Sequence, residues 1–274
     1  MHSKPFLVVG QANRNKNPSI IKFDLEGNFQ GSSDVAQKSY VSGLTIDSDK
    51  NIYLGIGDSG EVIKLDENLN ILWKYTGHTS TIWSIVVDKF GNIYSGSSDK
   101  TVHKIDPNGN KIWVFEKHSS KIVSLNISID GNINSTGEDK TTRKIDPNGN
   151  EVWKVTKNKN TETDNVLRKI DKDGNEVWAF SEHNGAVFSF VNDSFKNTYI
   201  ACEDKTVRKI DPNGNQVWVF RGHDDEVMRV VLDSFNNIYS LSLNGIIRKI
   251  DPNGNEIFNV YTTIDDTSVL ALSS

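Results

Sequence analysis

Along most of the chain, apolar and polar residues alternate in bursts of five to eight, each closed by a turn-forming residue. The clearest stretch contains four such bursts: Ile82 to Asp88, Asn92 to Asp99, Thr101 to Asp106 and Lys111 to Lys117. Alternation with a period of two predicts strands, named A, B, C and D in that order. Lys89-Phe90-Gly91 turns A into B, and Asp99-Lys100 turns B into C. Asp106-Pro107-Asn108-Gly109 supplies Pro and Gly at the second and fourth positions of a type I turn, so C and D form a hairpin. Gly109 can take positive φ there and open strand D. No uninterrupted apolar stripe with a 3.6-residue period competes, so very little helix is expected.

The pattern repeats. Lys-Ile-Asp-Pro-Asn-Gly-Asn occurs at Lys104, Lys144, Lys209 and Lys249, with variants around Asp24, Asp66 and Asp171. Taking the Asp as register, the steps from 24 through 66, 106, 146, 171 and 211 to 251 are 42, 40, 40, 25, 40 and 40 residues. One step is therefore short by 15 residues. A lone four-stranded sheet cannot bury both faces, and stacking such sheets around an axis solves the problem. The N-terminus supplies strands of B, C and D type (Pro5 to Gly10, Ser19 to Asp24, Asn28 to Gly31), and Ser268 to Ser273 supplies an A strand.

The expected architecture is all-β: a closed β-propeller of four-stranded antiparallel blades forming one domain over residues 1–274, its ring closed by pairing the C-terminal strand with the N-terminal blade. The repeats lie near 1–31 with 268–273, 40–76, 82–117, 121–157, 165–183, 186–221 and 226–262. Six are complete. The one near 165–183 has a C-D hairpin but no A or B strand. It is expected at the outer rim beside the blade of Asp146, with an exposed edge open to another chain. The polar linker Lys157 to Asp164 would carry the chain outward to it.

With 274 residues, 36% hydrophobic and 24% charged, the chain can bury a substantial core. Its net charge of -5 and lack of any run of five like charges argue against nucleic acid and against an acidic membrane as partners. A single cysteine, Cys202, excludes an intrachain disulfide and a cysteine metal site, and reads as a buried structural thiol. Neither a signal h-region nor about 18 consecutive apolar residues is present, so a soluble, cytoplasmic monomer is expected.

Gly77-His78, Gly96-Ser97-Ser98-Asp99-Lys100-Thr101-Val102 and Ile105-Asp106 resemble, in order, the Gly-His, turn Asp and Trp-Asp of the WD-repeat family. The likeness extends over essentially the whole chain. Ile replaces Trp before most of the repeat Asp residues, and tryptophan moves to strand D at Trp73, Trp113, Trp153, Trp178 and Trp218. The resulting Gly-Asn-Glu-Val-Trp is similar to the blades of pyrroloquinoline-quinone enzymes.

His78 to Asp99, His118 to Asp139 and His183 to Asp204 are each 21 apart, and His223 keeps that offset to Asn244. The resemblance implies structural His-Asp pairs that tie the D-A loop to the B-C turn. One such pair per blade spreads the groups around a ring, so no metal site is expected. His2 and His103 stand alone. Asp171-Lys172-Asp173-Gly174 starts like a calcium loop, but its glycine comes at the fourth position instead of the sixth, as in the other hairpin turns. The basic pairs before the repeat Asp, such as Arg143-Lys144, Arg168-Lys169, Arg208-Lys209 and Arg248-Lys249, are expected as inter-blade ion pairs and solvated rims. No nucleophile elbow, Walker loop, metalloprotease helix or dinucleotide fingerprint occurs, and neither catalytic residues nor a cofactor are expected.

Departures from the repeat suggest function. If strand A carries the bulge usual in WD repeats, Ile82, Ile85 and Val87 point to the core and Trp83 to the upper mouth of the channel. The same offset selects Val123, Phe188 and Met228, with Ser42 and Leu270 in the other two blades. The residue before the B-C turn Asp also varies, being Gly57, Ser98, Glu138, Glu203 and then Leu243 before Asn244. The first B-C loop, Ala12 to Pro18, is longer and polar. The reading is a non-catalytic scaffold that binds a protein through Trp83, Phe188, Met228, Val123, Glu138 and Glu203. A small-ligand or carbohydrate propeller is the alternative, and a quinone-dependent dehydrogenase follows it.

Overall fold

A computed structural model describes residues 4–11, 19–36, 39–128, 130–156, 166–171, 173–262 and 267–273. The Ala12 to Pro18 loop, the linker 157–164 and His2 lie outside them. The described residues form 26 strands and no helix.

Six sheets have four antiparallel strands each, arranged as propeller blades. Blade 1 joins β1 (Phe6–Gln11), β2 (Ile20–Asp24) and β3 (Phe29–Ser33) to β26 (Thr267–Leu272). Blade 2 is β4 (Val41–Ile46), β5 (Ile52–Ile56), β6 (Val62–Leu65) and β7 (Ile71–Tyr75). Blade 3 is β8 (Ile82–Val87), β9 (Ile93–Ser97), β10 (Val102–Ile105) and β11 (Lys111–Phe115). Blade 4 is β12 (Ile122–Ile127), β13 (Ile133–Gly137), β14 (Thr141–Ile145) and β15 (Glu151–Thr156). A two-stranded sheet follows, β16 (Leu167–Ile170) with β17 (Glu176–Phe180). Blade 5 is β18 (Val187–Asn192), β19 (Thr198–Cys202), β20 (Val207–Ile210) and β21 (Gln216–Phe220). Blade 6 is β22 (Val227–Leu232), β23 (Ile238–Ser242), β24 (Ile246–Ile250) and β25 (Glu256–Tyr261).

Local chemistry fixes these elements. In the C-D turn of blade 3, the Asp106 carboxylate accepts the N–H groups of Asn108 and Asn110 at 2.9 and 2.8 Å, and Gly109 takes φ 89°. The carboxylate thereby holds the turn by itself. Each A strand of blades 2 to 6 carries a bulge after its first residue, as at Ile82/Ser84 and Val227/Arg229. Ile82 and Ile85 are consequently buried, while Trp83 points away from the core.

The core is a set of inter-blade layers. Tyr53, Val62, Ile82, Ile85 and Ile93 pack blade 2 on blade 3, and Tyr94, Ile122, Leu125 and Ile133 pack blade 3 on blade 4. B strands have both faces covered and are buried almost throughout; D strands form the half-exposed outer edge. The two-stranded sheet joins blade 5 through Leu167, Trp178, Phe180, Ile200, Cys202 and Ile210. Its turn lies against the blade of Asp146, where Gly174 meets Trp153 and Val155, and its hydrophobic layer faces the blade of Asp211, because apolar β19 and β20 lie there.

Candidate functional site

The upper face is the one that carries the D-A loops and B-C turns. There the N–H groups of Gly57, Ser98, Glu138, Glu203 and Leu243 donate to the carbonyls of Tyr40, Thr81, Lys121, Ala186 and Glu226, at 2.8 to 2.9 Å. This rung sets each pre-turn side chain next to the start of an A strand. In blade 3 the Trp83 indole donates to Ser98 Oγ at 2.7 Å. Lys121, from blade 4, lies 5.1 Å from the Trp83 ring centroid and 2.9 Å from Glu138 Oε1. Trp83, Ser98, Lys121 and Glu138 thus form one cluster across two blades. Lys121 is invisible to blade-by-blade comparison; only the pairing with Glu138 singles it out.

Further round the mouth, Val123 is 40% exposed, and Phe188 and Met228 are half-buried. Glu203 is held in its own blade, accepting the Ala186 N–H at 2.6 Å. In blade 1 the register pairs Gln11 with Thr267 across a bulge and Gly10 with Val269. Leu270 therefore matches Ile85 of the core and not Trp83, a correction to the sequence alignment of that ring.

Below the mouth, His78 Nδ1 lies 2.8 Å from Asp99 and its Nε2 lies 2.8 Å from Ser95 Oγ. His118 repeats both contacts with Asp139 and Ser135 at 3.0 and 2.9 Å. In blade 5 they are not brought together. His183 Nδ1 meets the Gly185 carbonyl, and Asp204 instead binds Arg208 at 2.7 Å. Ile200 stands where Ser95 and Ser135 stand, so His183 Nε2 is buried without a partner. His223 bonds Ser240, while Asn244 turns to Asp224.

His103 is not isolated, contrary to expectation. Its ring stacks on His78 with centroids 3.7 Å apart, and Tyr75 OH lies 2.7 Å from its Nδ1. Burial, followed by the charge of His78, pushes His103 down to about 3. Ligand-type atoms of His78, Asp99 and His103 fall within 4.8 Å of one another. Stacked rings aim their lone pairs in parallel planes, and these nitrogens already hold Asp99, Ser95 and Tyr75. The arrangement is a hydrogen-bonded stack and not a converging ligand set.

The C-strand lysines and D-strand tryptophans act together. Lys64 Nζ and Trp73 Nε1 both donate to the Pro107 carbonyl of the next blade, at 3.3 and 3.0 Å. Lys104 and Trp113 do so with Pro147, Lys169 and Trp178 with Pro212, and Lys209 and Trp218 with Pro252. Arginines instead pair within their sheets, Arg143 with Glu151 and Arg248 with Glu256. In place of the expected inter-blade ion pairs, Lys169 and Lys209 reach a carbonyl of the next blade, while Lys144 and Lys249 pair with Asp130 and Asp233 of their own blades.

A family model for the WD domain, G-beta repeat, matches residues 69–106. The match runs from the blade 2 C-D turn through strands A, B and C of blade 3, two of the six four-stranded blades. The chain is a β-propeller that carries a WD-repeat-like segment. A crystal structure of a protein of unknown function from Bacteroides caccae superposes with a TM-score of 0.68 at 13% identity, covering 98% of this chain and 99% of that one. That likeness concerns the fold alone. No curated protein matches. Within the propeller, hydrogen bonds from Asn110, Asn150, Asn215 and Asn255 hold Asp106, Asp146, Asp211 and Asp251 below the usual carboxylate range. They are fixed anions of their own turns, one per blade, and are poorly suited to proton donation.

Proposed function

We propose that this propeller is a non-catalytic scaffold that binds a protein partner through its upper face. The observation that carries the reading is the Trp83-Lys121-Glu138 cluster. It combines an aromatic ring, a cation and a carboxylate on a rigid rim where the repeat otherwise imposes uniformity. Tryptophan with adjacent charge is the composition of interface hot spots, and propellers elsewhere host many activities, so the site and not the fold directs the assignment. Val123, Phe188 and Met228 extend the surface along the mouth, and Glu203 lies at its edge.

The test is crosslinking of the chain in its native host followed by mass spectrometry, with Trp83→Ala and Lys121→Glu variants in parallel. Crosslinks to a partner should map to the upper face and fall by about tenfold in either variant. Unchanged recovery from both would remove the site.

A further inference from the structure

One side chain on the inner wall of the ring departs from its counterparts. A strands abut in sequence around the axis from β18 through β22, β26, β4 and β8 to β12, and their inner edges bound the central channel. At the first position after the bulge, register aligns Val269, Gly43, Ser84, Ser124 and Ser189 with Arg229 of β22. Only the arginine is long. Ser84 and Ser189 accept the N–H groups of Leu125 and Val230 on the next A strand. Arg229 reaches toward the mouth instead: its Nη1 donates to the carbonyls of Met228 and Phe188, at 2.8 and 3.4 Å.

The rest of the guanidinium is unused. Among the described residues, neither Nε nor Nη2 has a hydrogen-bond partner, and Arg229 forms no ion pair. The other described arginines behave differently. Arg143, Arg168, Arg208 and Arg248 pair with Glu151, Glu176, Asp204 and Glu256, and Arg221 is exposed. A guanidinium enclosed by protein without a counter-ion is costly, since its desolvation goes uncompensated. Burial, with no charged neighbour to offset it, pushes Arg229 down to about 10. The residue is nonetheless only half-buried. β23 pairs with β22 along one edge, and β18 and β26 flank it, so its open side is the channel.

We propose that the upper end of the channel is an anion site in which Arg229 takes a carboxylate. With Nη1 engaged by two carbonyls, Nε–H and the neighbouring Nη2–H form a parallel fork, which matches the two oxygens of a carboxylate. One positive charge with no second cation beside it suits a monovalent anion, whereas a phosphate would keep part of its charge unneutralised. The enclosed position strengthens the pair relative to the same contact in water. The carboxylate can come as a small free anion or on an acidic side chain of a polypeptide. The inference is independent of the upper-face reading.

Sodium acetate, exchanged for sodium chloride at constant ionic strength, serves as probe of the full chain. The Arg229 Nε–H resonance, assigned through the backbone of β22, should shift saturably with a midpoint on the order of millimolar. Acetate should also raise the melting temperature of the full chain, and Arg229→Lys, which keeps the charge but loses the fork, should weaken that effect about tenfold. The peptide acetyl-Ala-Glu-Ala-amide separates the two sources. Binding at least as tight as that of acetate, lost when Gln replaces its Glu, assigns the site to an acidic side chain; binding of acetate alone assigns it to a small free carboxylate. No saturable shift with either probe overturns the inference, and so does phosphate binding about tenfold more tightly than acetate. Trp83→Ala should leave acetate binding unchanged. Its loss there would place the anion at the Trp83-Lys121 cluster and overturn the assignment to Arg229.

Discussion

The Trp-Pro contact shows how one residue type links neighbouring blades. The indole covers the turn glycine of the next blade, where Gly109 leaves space that a Cβ, only 3.0 Å from Trp73, would take. It also donates to the preceding proline carbonyl. Trp113→Phe should cost about 1 kcal/mol by losing the bond to Pro147. Trp113→Ala should cost about 3 kcal/mol by losing the packing too, as read from denaturant midpoints. In the first step of the ring the contact is inverted. Gly31 stands opposite Lys22 at the tryptophan position, and Leu69, at φ 68°, replaces the turn glycine. Buried histidines add a pH dependence. Burial pushes His223 down to about 4 and His103 to about 3. Unfolding returns each to the ordinary value near 6.5, so the unfolded chain binds more protons below that pH. Stability should be full above pH 6.5 and fall progressively toward pH 4. Thermal melts from pH 7.5 to 4 should therefore slope downward, and His103→Gln should flatten the slope.

Elements were largely legible because turn chemistry and alternation agree in every repeat. Expected strand Ile82 to Asp88 is β8 (Ile82–Val87), and Lys111 to Lys117 is β11 (Lys111–Phe115). The short step from Asp146 to Asp171 shows that an A-B pair is missing. Counting could not show which blade the orphan hairpin joins, since that depends on the apolar faces of β19 and β20 across a sheet boundary. The upper-face cluster was half legible: the bulge exposes Trp83, but Lys121 enters only because blade 4 sets it beside its own Glu138 and over the Trp83 ring of blade 3. The same limit hid the His78-His103 stack, which joins the loop before β8 to β10, 25 positions along the chain. Strand context also sets the cost of substitution. Ile85→Ala, in a closed layer, should cost about 2–4 kcal/mol, whereas Phe190→Ala, half in solvent, should cost about 1 kcal/mol or less. Equal losses in urea melts would mean that the wall at β18 is covered in solution.

At the scale of the whole molecule, two A-strand positions contrast: the one between β12 and β18, where no A strand lies among the described residues, and β26, which returns from the far end of the chain. The walls of the first are polar or tolerant, with Asn134 and Thr136 on one side. Around the second they are apolar and close. β26 sits between β22 and β4, and Val269, Leu270 and Ala271 are buried at 2, 4 and 6% exposure. Gly10 opposite leaves no spare room, since a Cβ there would lie within van der Waals distance of Val269 and Val41. Phe6 N–H donates to Ser273 Oγ at 2.7 Å, and Ser273 N–H donates to the Phe6 carbonyl at 2.9 Å. Removing residues 267–274 would uncover Leu7 and Val9 as well as the three side chains lost. Each fully buried aliphatic contributes about 1.5–3 kcal/mol, so the loss is comparable to the roughly 5–15 kcal/mol total stability of a domain. The truncated chain should therefore fail to fold cooperatively, giving collapsed near-UV circular dichroism and no sigmoidal urea transition. A peptide of residues 265–274 added in trans should restore the transition in proportion to its concentration, because it binds only the folded ring. A truncated chain that melts within a few degrees of the full one would show that the pairing of β26 with β1 does not hold the propeller together.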